Sequence, residues 1–351
     1  MTSGRRKKSQ PKGRGERPPS SSSASTLIIP FTERVLAVLP GPRWIWIIMW
    51  SLISIPLSFL TLRLVEEFGG PQVRSEPPSP WVLAAYVNAT FLAVWGAGKL
   101  ASEAQRTESA IARLTAGEGP SPDRPIKGLE SIRGPLALTL ALVGLNWILV
   151  SLEYGWRVAL VAFPIDFLLE LPLLTFFWVY ASLLIGLNRL GQQNLNLEQT
   201  PGDRTLGLAP VGHLAFTGFW IFSLGFAPIL IVTATSTPAL VLNLAFFLIG
   251  FGLFLLSLNR LHLQMAEAKR GHLAIARRLY ADAYAPLLRK PAVRTLQTQT
   301  PLLNAAEALE KRSASIQEWP FDEVLTGRIA IIVTSVVATV LGRIILVALG
   351  F

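Results

Sequence analysis

Seven stretches of this chain are each long and apolar enough to cross a bilayer, and nothing else limits its fold as strongly. They are residues 44–65, 81–100, 134–152, 158–187, 211–234, 239–258 and 329–351. Each supplies about 20 residues, and at about 1.5 Å per residue that covers about 30 Å of hydrocarbon. Lipid offers no water to backbone groups, so a spanning segment is a helix or a strand of a closed barrel. The alternation that barrel strands carry is absent here. Only 15% of the residues are charged, where soluble domains carry about 25%. The expectation is an all-α, polytopic integral membrane protein with about seven transmembrane helices and a cytoplasmic helical layer.

The net charge of +10 does not point to nucleic acid, because its distribution follows the spans. Seven basic residues fall in the first 17 positions, and eight more lie between Arg260 and Arg294. Positive charge flanking apolar spans holds a segment on the cytoplasmic side and attracts anionic headgroups. The partners expected are therefore the bilayer with its anionic lipids, an inorganic ion as substrate and a second copy of the chain, with no nucleic acid. The basic amino end is placed in the cytoplasm and the carboxyl end outside, in the cell membrane. The short loop with Glu66, Glu67, Glu76 and one Arg74 lies outside on this reading. The first apolar run starts too late and is too long for a cleaved signal peptide.

Four regions follow from the same pattern. Residues 1–26, rich in Lys, Arg, Pro and Ser, read as a disordered basic tail. Residues 43–258 read as a six-helix membrane region with cytoplasmic segments at 101–133 and 188–210, the first holding an amphipathic helix that ends near Ala116. Residues 259–326 continue the sixth span as a cytoplasmic helical segment, and 327–351 form the last span. No proline occurs between Pro238 and Pro286. Apolar residues at 261, 265, 268, 273, 276, 279 and 283 recur at helical spacing, which predicts one helix of about 70 Å. Its apolar stripe must pack on the helix expected at 302–315, on 101–116, or on another subunit.

Two further features mark the membrane surface. The fourth and sixth spans both end in Leu-Asn-Arg-Leu, with Asn188 and Arg189 in one and Asn259 and Arg260 in the other. Arg at such an exit can reach phosphate while its stem covers apolar surface. The run from Glu318 to Asp322 reads as an interfacial elbow. Trp319 is set at headgroup depth, Pro320 starts a new helix, and Asp322 flanks it. A linker that couples the cytoplasmic layer to the last span is the alternative.

The charged positions inside the spans carry the functional reading. Asp166 and Glu170 stand at i and i+4 on one face of the fourth span, bracketed by Pro164 and Pro172. A proline removes a backbone donor and can free carbonyl oxygens at the same depth. Carboxylates with freed carbonyls suit a cation or proton path. The alternatives are a structural pair with Arg343 or Arg157, and a wet outer vestibule. Arg343 interrupts the seventh span. Asn146 and Asn243 add polarity within spans, as does Asn88, whose glycosylation triplet is set aside because it lies in a span. In-span Asn side chains commonly join helices.

Enzymatic chemistry finds little support. The chain has no Cys and only three His, widely separated, so no metal spacing is recognisable. No His-Glu-x-x-His, no Gly-x-Ser-x-Gly and no phosphate-binding Gly-rich loop occurs. An intramembrane aspartyl pair would need a second Asp facing Asp166. We therefore expect no enzyme and no cofactor. The leading expectation is a cation-selective channel or transporter-like protein. The other is a non-transporting sensor or scaffold that binds a partner or anionic lipid through its basic cytoplasmic helices.

Overall fold

A computed structural model describes residues 29–68, 79–115, 127–197, 203–233, 237–289 and 293–348. In chain order the helices are α1 (Phe31–Val38), α2 (Arg43–Phe68), α3 (Pro80–Leu114), a 3-10 turn (Lys127–Glu130), α4 (Arg133–Tyr154) and α5 (Trp156–Leu190). They continue with α6 (Ala209–Thr233), α7 (Thr237–Arg289), α8 (Val293–Ala314) and α9 (Glu323–Ala348). Seven of these, α2 to α7 and α9, are long and apolar enough to cross a membrane. The protein is an all-α, multi-pass membrane protein with added helical layers. The expected tail at 1–26 and the tip of the expected loop at 69–78 lie outside the described residues.

Helices α3, α5, α6 and α7 build the core, while α2, α4 and α9 are the most exposed of the spans. Leu145 and Leu149 on α4, and Ile331 and Ile345 on α9, are open. Such faces cost nothing against lipid tails, which are as apolar as Leu. The core is aromatic. Phe219 of α6 stacks on Phe254 of α7 at 4.7 Å, and Phe254 in turn packs on Phe321 at 5.9 Å.

One expected break does not occur, and one helix is new. The second span and the amphipathic segment after it form one helix, α3, capped at its start by Ser79 and ending at Leu114. No proline intervenes to end it, and its buried stripe continues through Ala101, Ala104, Thr107, Ala110 and Ile111. Helix α1 was not anticipated, because eight residues before a Pro-rich turn give too little periodicity to read. It docks through Leu36 and an ion pair between Glu33 and Arg43. Burial pushes the Glu33 carboxyl above its usual range, against the pull of Arg43.

The long helix is longer than predicted. Helix α7 spans 53 residues and continues through Pro286, about 80 Å in all. Helix α8 returns along it, so the pair forms a stalk on one side of the membrane. Of the predicted stripe, Leu261, Met265, Ala276 and Ala283 are buried, whereas Leu279 is exposed. Small residues at the contact let the helix backbones approach. The partner helix is therefore α8 rather than the end of α3.

The elbow departs from its expected form. Trp319 is half-buried and stacks on His262 of α7 at 4.4 Å. The new helix starts at Glu323, not at Pro320. Asp322 is its cap, accepting from the Leu325 N–H at 2.7 Å. His262 Nδ1 meets the Glu318 carbonyl at 2.8 Å, and Lys269 pairs with Glu318 at 3.3 Å. The elbow thus joins the stalk to α9 and to the start of α6.

Gly212 makes that junction close. A Cβ there would run into the backbone carbonyl of Pro320. Because the obstacle is backbone, Gly212→Ala must displace the elbow, at a cost of about 1–3 kcal/mol. Thermal unfolding in detergent should show the loss. Gly252→Ala, with open space at its Cβ, should not destabilise.

Candidate intramembrane carboxylate site

Helices α4 and α5 form a hairpin whose turn is Gly155. Its φ of +93° lies in the left-handed region that glycine adopts at little cost. The hairpin is braced at its other end, where Trp178 donates to the Gly128 carbonyl at 3.1 Å. A Cβ on Gly134 would collide with the Trp178 indole, so α4 lies tight against α5. At the turn, Trp156 is 62% exposed and Arg157 lies over its ring at 5.7 Å. An exposed Trp and Arg at a span end belong at the membrane surface.

That turn sets where the carboxylates lie along the hairpin. Asp166 is ten residues beyond Trp156 on a continuous helix, or about 15 Å along its axis. Asn146 is eight residues before Tyr154 on the other arm, so the two reach similar depth. Asn146 Nδ2 donates to Asp166 Oδ2 at 3.1 Å. Glu170 lies one turn further along α5, within electrostatic reach of both Asp166 and the Tyr86 hydroxyl of α3. Helices α4 and α5 thus meet at a hydrogen-bonded Asn–Asp pair, with Glu170 one turn away.

No basic side chain joins them among the described residues. Arg343 is exposed on α9 and has no ion pair there. The expected alternative of an Arg343 lock is therefore corrected, since α9 packs mainly on α6 and α7. Arg157 sits on its own Trp156 at the turn and forms no ion pair with them either.

The energetic balance is uneven. An ionised Asp at the centre of a span costs about 2.5–3.5 kcal/mol on insertion scales. One hydrogen bond to a charged group returns about 1.5–3 kcal/mol, so Asn146 nearly offsets Asp166. Glu170 has no hydrogen bond among the described residues and repels Asp166 across one turn. Pro164 and Pro172 lie within the helix without ending it.

The remaining predicted positions fall elsewhere. Asn88 donates to the Leu224 carbonyl at 2.9 Å, joining α3 to α6 as an in-span Asn commonly does. The side chain of Asn243 lies outside the described residues. The two Leu-Asn-Arg-Leu runs lie against each other: a Cβ on Gly191 would press on Arg260 and Leu261. Gln264 donates to the Gly191 and Gln193 carbonyls at 2.9 and 2.7 Å. Leu187, Leu190, Leu258 and Leu261 enter the core. Asn188 is half-buried, and Arg189, Asn259 and Arg260 are exposed. Shared spacing therefore places Leu inward and Arg outward in both helices.

Sequence reasoning named Asn146 and Asp166 separately but not as a pair, although their similar distances from Gly155 would have matched them. Tyr86 carried no signal, because the approach of α3 to α5 is not local in sequence. No three His, Asp or Glu side chains converge as a metal-binding group among the described residues. Comparison of the chain with protein-family models, with curated proteins and with solved structures gives no match.

Proposed function

We propose that the protein is a cation transporter, non-enzymatic, that works through the Asp166–Glu170 pair. The observation that carries this reading is the pair's place within a long apolar helix without a basic partner among the described residues. Further along α5 the core is packed with Phe176, Phe177, Phe222 and Phe226, whose rings lie 5.4 to 6.3 Å apart. A packed aromatic layer favours a site that binds and then rearranges over a standing open pore. Prolines on both sides of the pair give α5 two places to bend. The basic amino end and the stalk are taken as cytoplasmic and the Gly155 turn as external, in the cell membrane. Anionic lipid would then lie against Arg189 and Arg260.

The test is flux in reconstituted vesicles. The protein should carry Na⁺, K⁺ or H⁺ above empty vesicles and exclude Cl⁻. Flux of anions alone would sink the reading. Arg343→Gln should alter the rate by less than about twofold, as expected of an exposed residue outside the site.

One observation favours a second reading, a scaffold that holds a partner or another copy. The stalk exposes Leu263, Ile275, Tyr284 and Leu288 beside Arg277 and Arg278. Replacing Ile275, Tyr284 and Leu288 by Gln should reduce the size of the assembly in detergent if the stalk self-associates. A monomer of unchanged size would remove that reading for self-association.

A further inference from the structure

Where the elbow crosses the stalk, one titratable ring is built into the contact. Residues 315–322 lead from α8 into α9, and His262 of α7 lies against them. Its imidazole stacks on the Trp319 indole, with centroids 4.4 Å apart and planes 16° from parallel. Its Nδ1 meets the Glu318 carbonyl at 2.8 Å. A carbonyl only accepts, so Nδ1 carries a hydrogen in either charge state of the ring. A further proton therefore goes to Nε2 and leaves that bond in place. The ring is half-buried, so water reaches part of it. Imidazole is the side chain whose ordinary titration falls between about pH 5 and 8.

The charges around the ring largely answer one another. Lys269, two turns along the same face of α7, pairs with the Glu318 carboxylate at 3.3 Å. Arg204 pairs with Glu323 at 3.3 Å, and Asp322 is held as the cap of α9. Arg260 lies on the opposite side of α7, by Gly191. Lys311 and Arg312 at the end of α8, and His213 at the start of α6, are exposed. The group that responds most directly to a positive ring is thus the indole. An imidazolium lying flat on Trp, the best aromatic face for a cation, gains an attraction that the neutral ring lacks.

The other ties of the elbow do not titrate in this range. Gln317 donates its backbone N–H to the Arg204 carbonyl at 2.9 Å, and Ile316 and Phe321 are buried. They seat the elbow, and the stack adjusts how firmly it holds.

We propose that His262 is a proton-operated clamp. Its imidazolium form holds Trp319, and with it the start of α9, more tightly to the stalk than the neutral ring does. The clamp is separate from the carboxylate pair and stands whether or not that pair carries cations.

The full chain in lipid nanodiscs is titrated from about pH 8 to about pH 5.5, across the range of imidazole, while Trp emission is read. An imidazolium against an indole quenches it, so wild type should lose emission along a one-proton curve. The chain has ten Trp, and variants isolate the share of Trp319. His262→Gln and Trp319→Phe should both lack that component, and His213→Gln should keep it. Should His262→Gln fail to fold, Trp319→Phe carries the test, because a ring remains to fill the contact. Hydrogen exchange reads the grip itself, after correction for the pH dependence of intrinsic exchange. Protection of amides 316–326 should rise about twofold to fivefold on acidification in wild type and stay level in His262→Gln.

An emission component that persists in whichever variant folds would overturn the proposal. So would its disappearance in His213→Gln, or elbow protection that stays level or falls on acidification of wild type.

Discussion

The double change Asp166→Asn, Glu170→Gln should abolish cation flux in reconstituted vesicles while leaving the fold intact. The amides match the carboxylates in shape, so packing around α4 and α5 is conserved. They remove the charge that a cation would answer. Folding should not suffer, because two carboxylates that cost about 2.5–3.5 kcal/mol each in a span are replaced by neutral groups. Stability should rise slightly or stay level as transport disappears. The single changes separate the roles. Glu170→Gln, removing the carboxylate without a hydrogen-bond partner, should cost more flux than Asp166→Asn, because Asp166 already accepts from Asn146. Parallel thermal unfolding excludes simple misfolding. Substantial, unchanged flux in the double variant would show that the pair is structural.

Phe219→Ala should be the most destabilising single core truncation in the α6–α7 contact. Phe219 has no exposed surface and stacks on Phe254 at 4.7 Å, with Phe251 at 5.5 Å. Its loss leaves a void between two spans and loosens the Phe254–Phe321 contact that seats the elbow. Truncating a buried Phe costs about 3–5 kcal/mol in soluble cores. In a bilayer the transfer part is smaller, because lipid is itself apolar, and lost packing contacts dominate. About 3 kcal/mol is expected here. Leu253→Ala, one residue before Phe254 but 54% exposed, should change stability by less than about 0.5 kcal/mol. Unfolding by increasing denaturing detergent reads both. Equal effects would mean that Phe219 is not the contact that holds α7 to α6.

Much of the architecture was legible because membrane folding follows simple lengths. The span count and the long sixth helix came from apolar runs, missing prolines and a three-four spacing, while its return partner was one of three candidates. The Leu-Asn-Arg-Leu runs were legible as exits, and their mutual packing follows from Leu at i and i+3 entering one core. What escaped depended on contacts between segments distant in the chain. Helix α1 is held by docking, not by its own periodicity. The stacking of Trp319 on His262 was not legible, because the two lie far apart in the chain. Pro320 resembled a helix start, but the carboxylate of Asp322 accepts from the Leu325 N–H and sets the start three residues later.

The site divides the same way. Asp166 and Glu170 stood out in sequence because charge is rare in apolar runs. Arg343 stood out for the same reason, yet α9 carries it on an exposed face away from the pair. Rarity marks a residue; only packing decides its partner. Tyr86 escaped notice because the packing of α3 on α5 joins segments far apart in the chain.

The central claim is that the Asp166–Glu170 pair takes up a positive charge that the protein itself does not supply. Infrared difference spectra of the protein in lipid, recorded as proton or Na⁺ concentration is stepped, test it directly. The account predicts a carboxyl band that responds to the step and vanishes in the Asp166→Asn, Glu170→Gln variant. Identical difference spectra in wild type and variant would contradict it, since the pair would then bind nothing that changes.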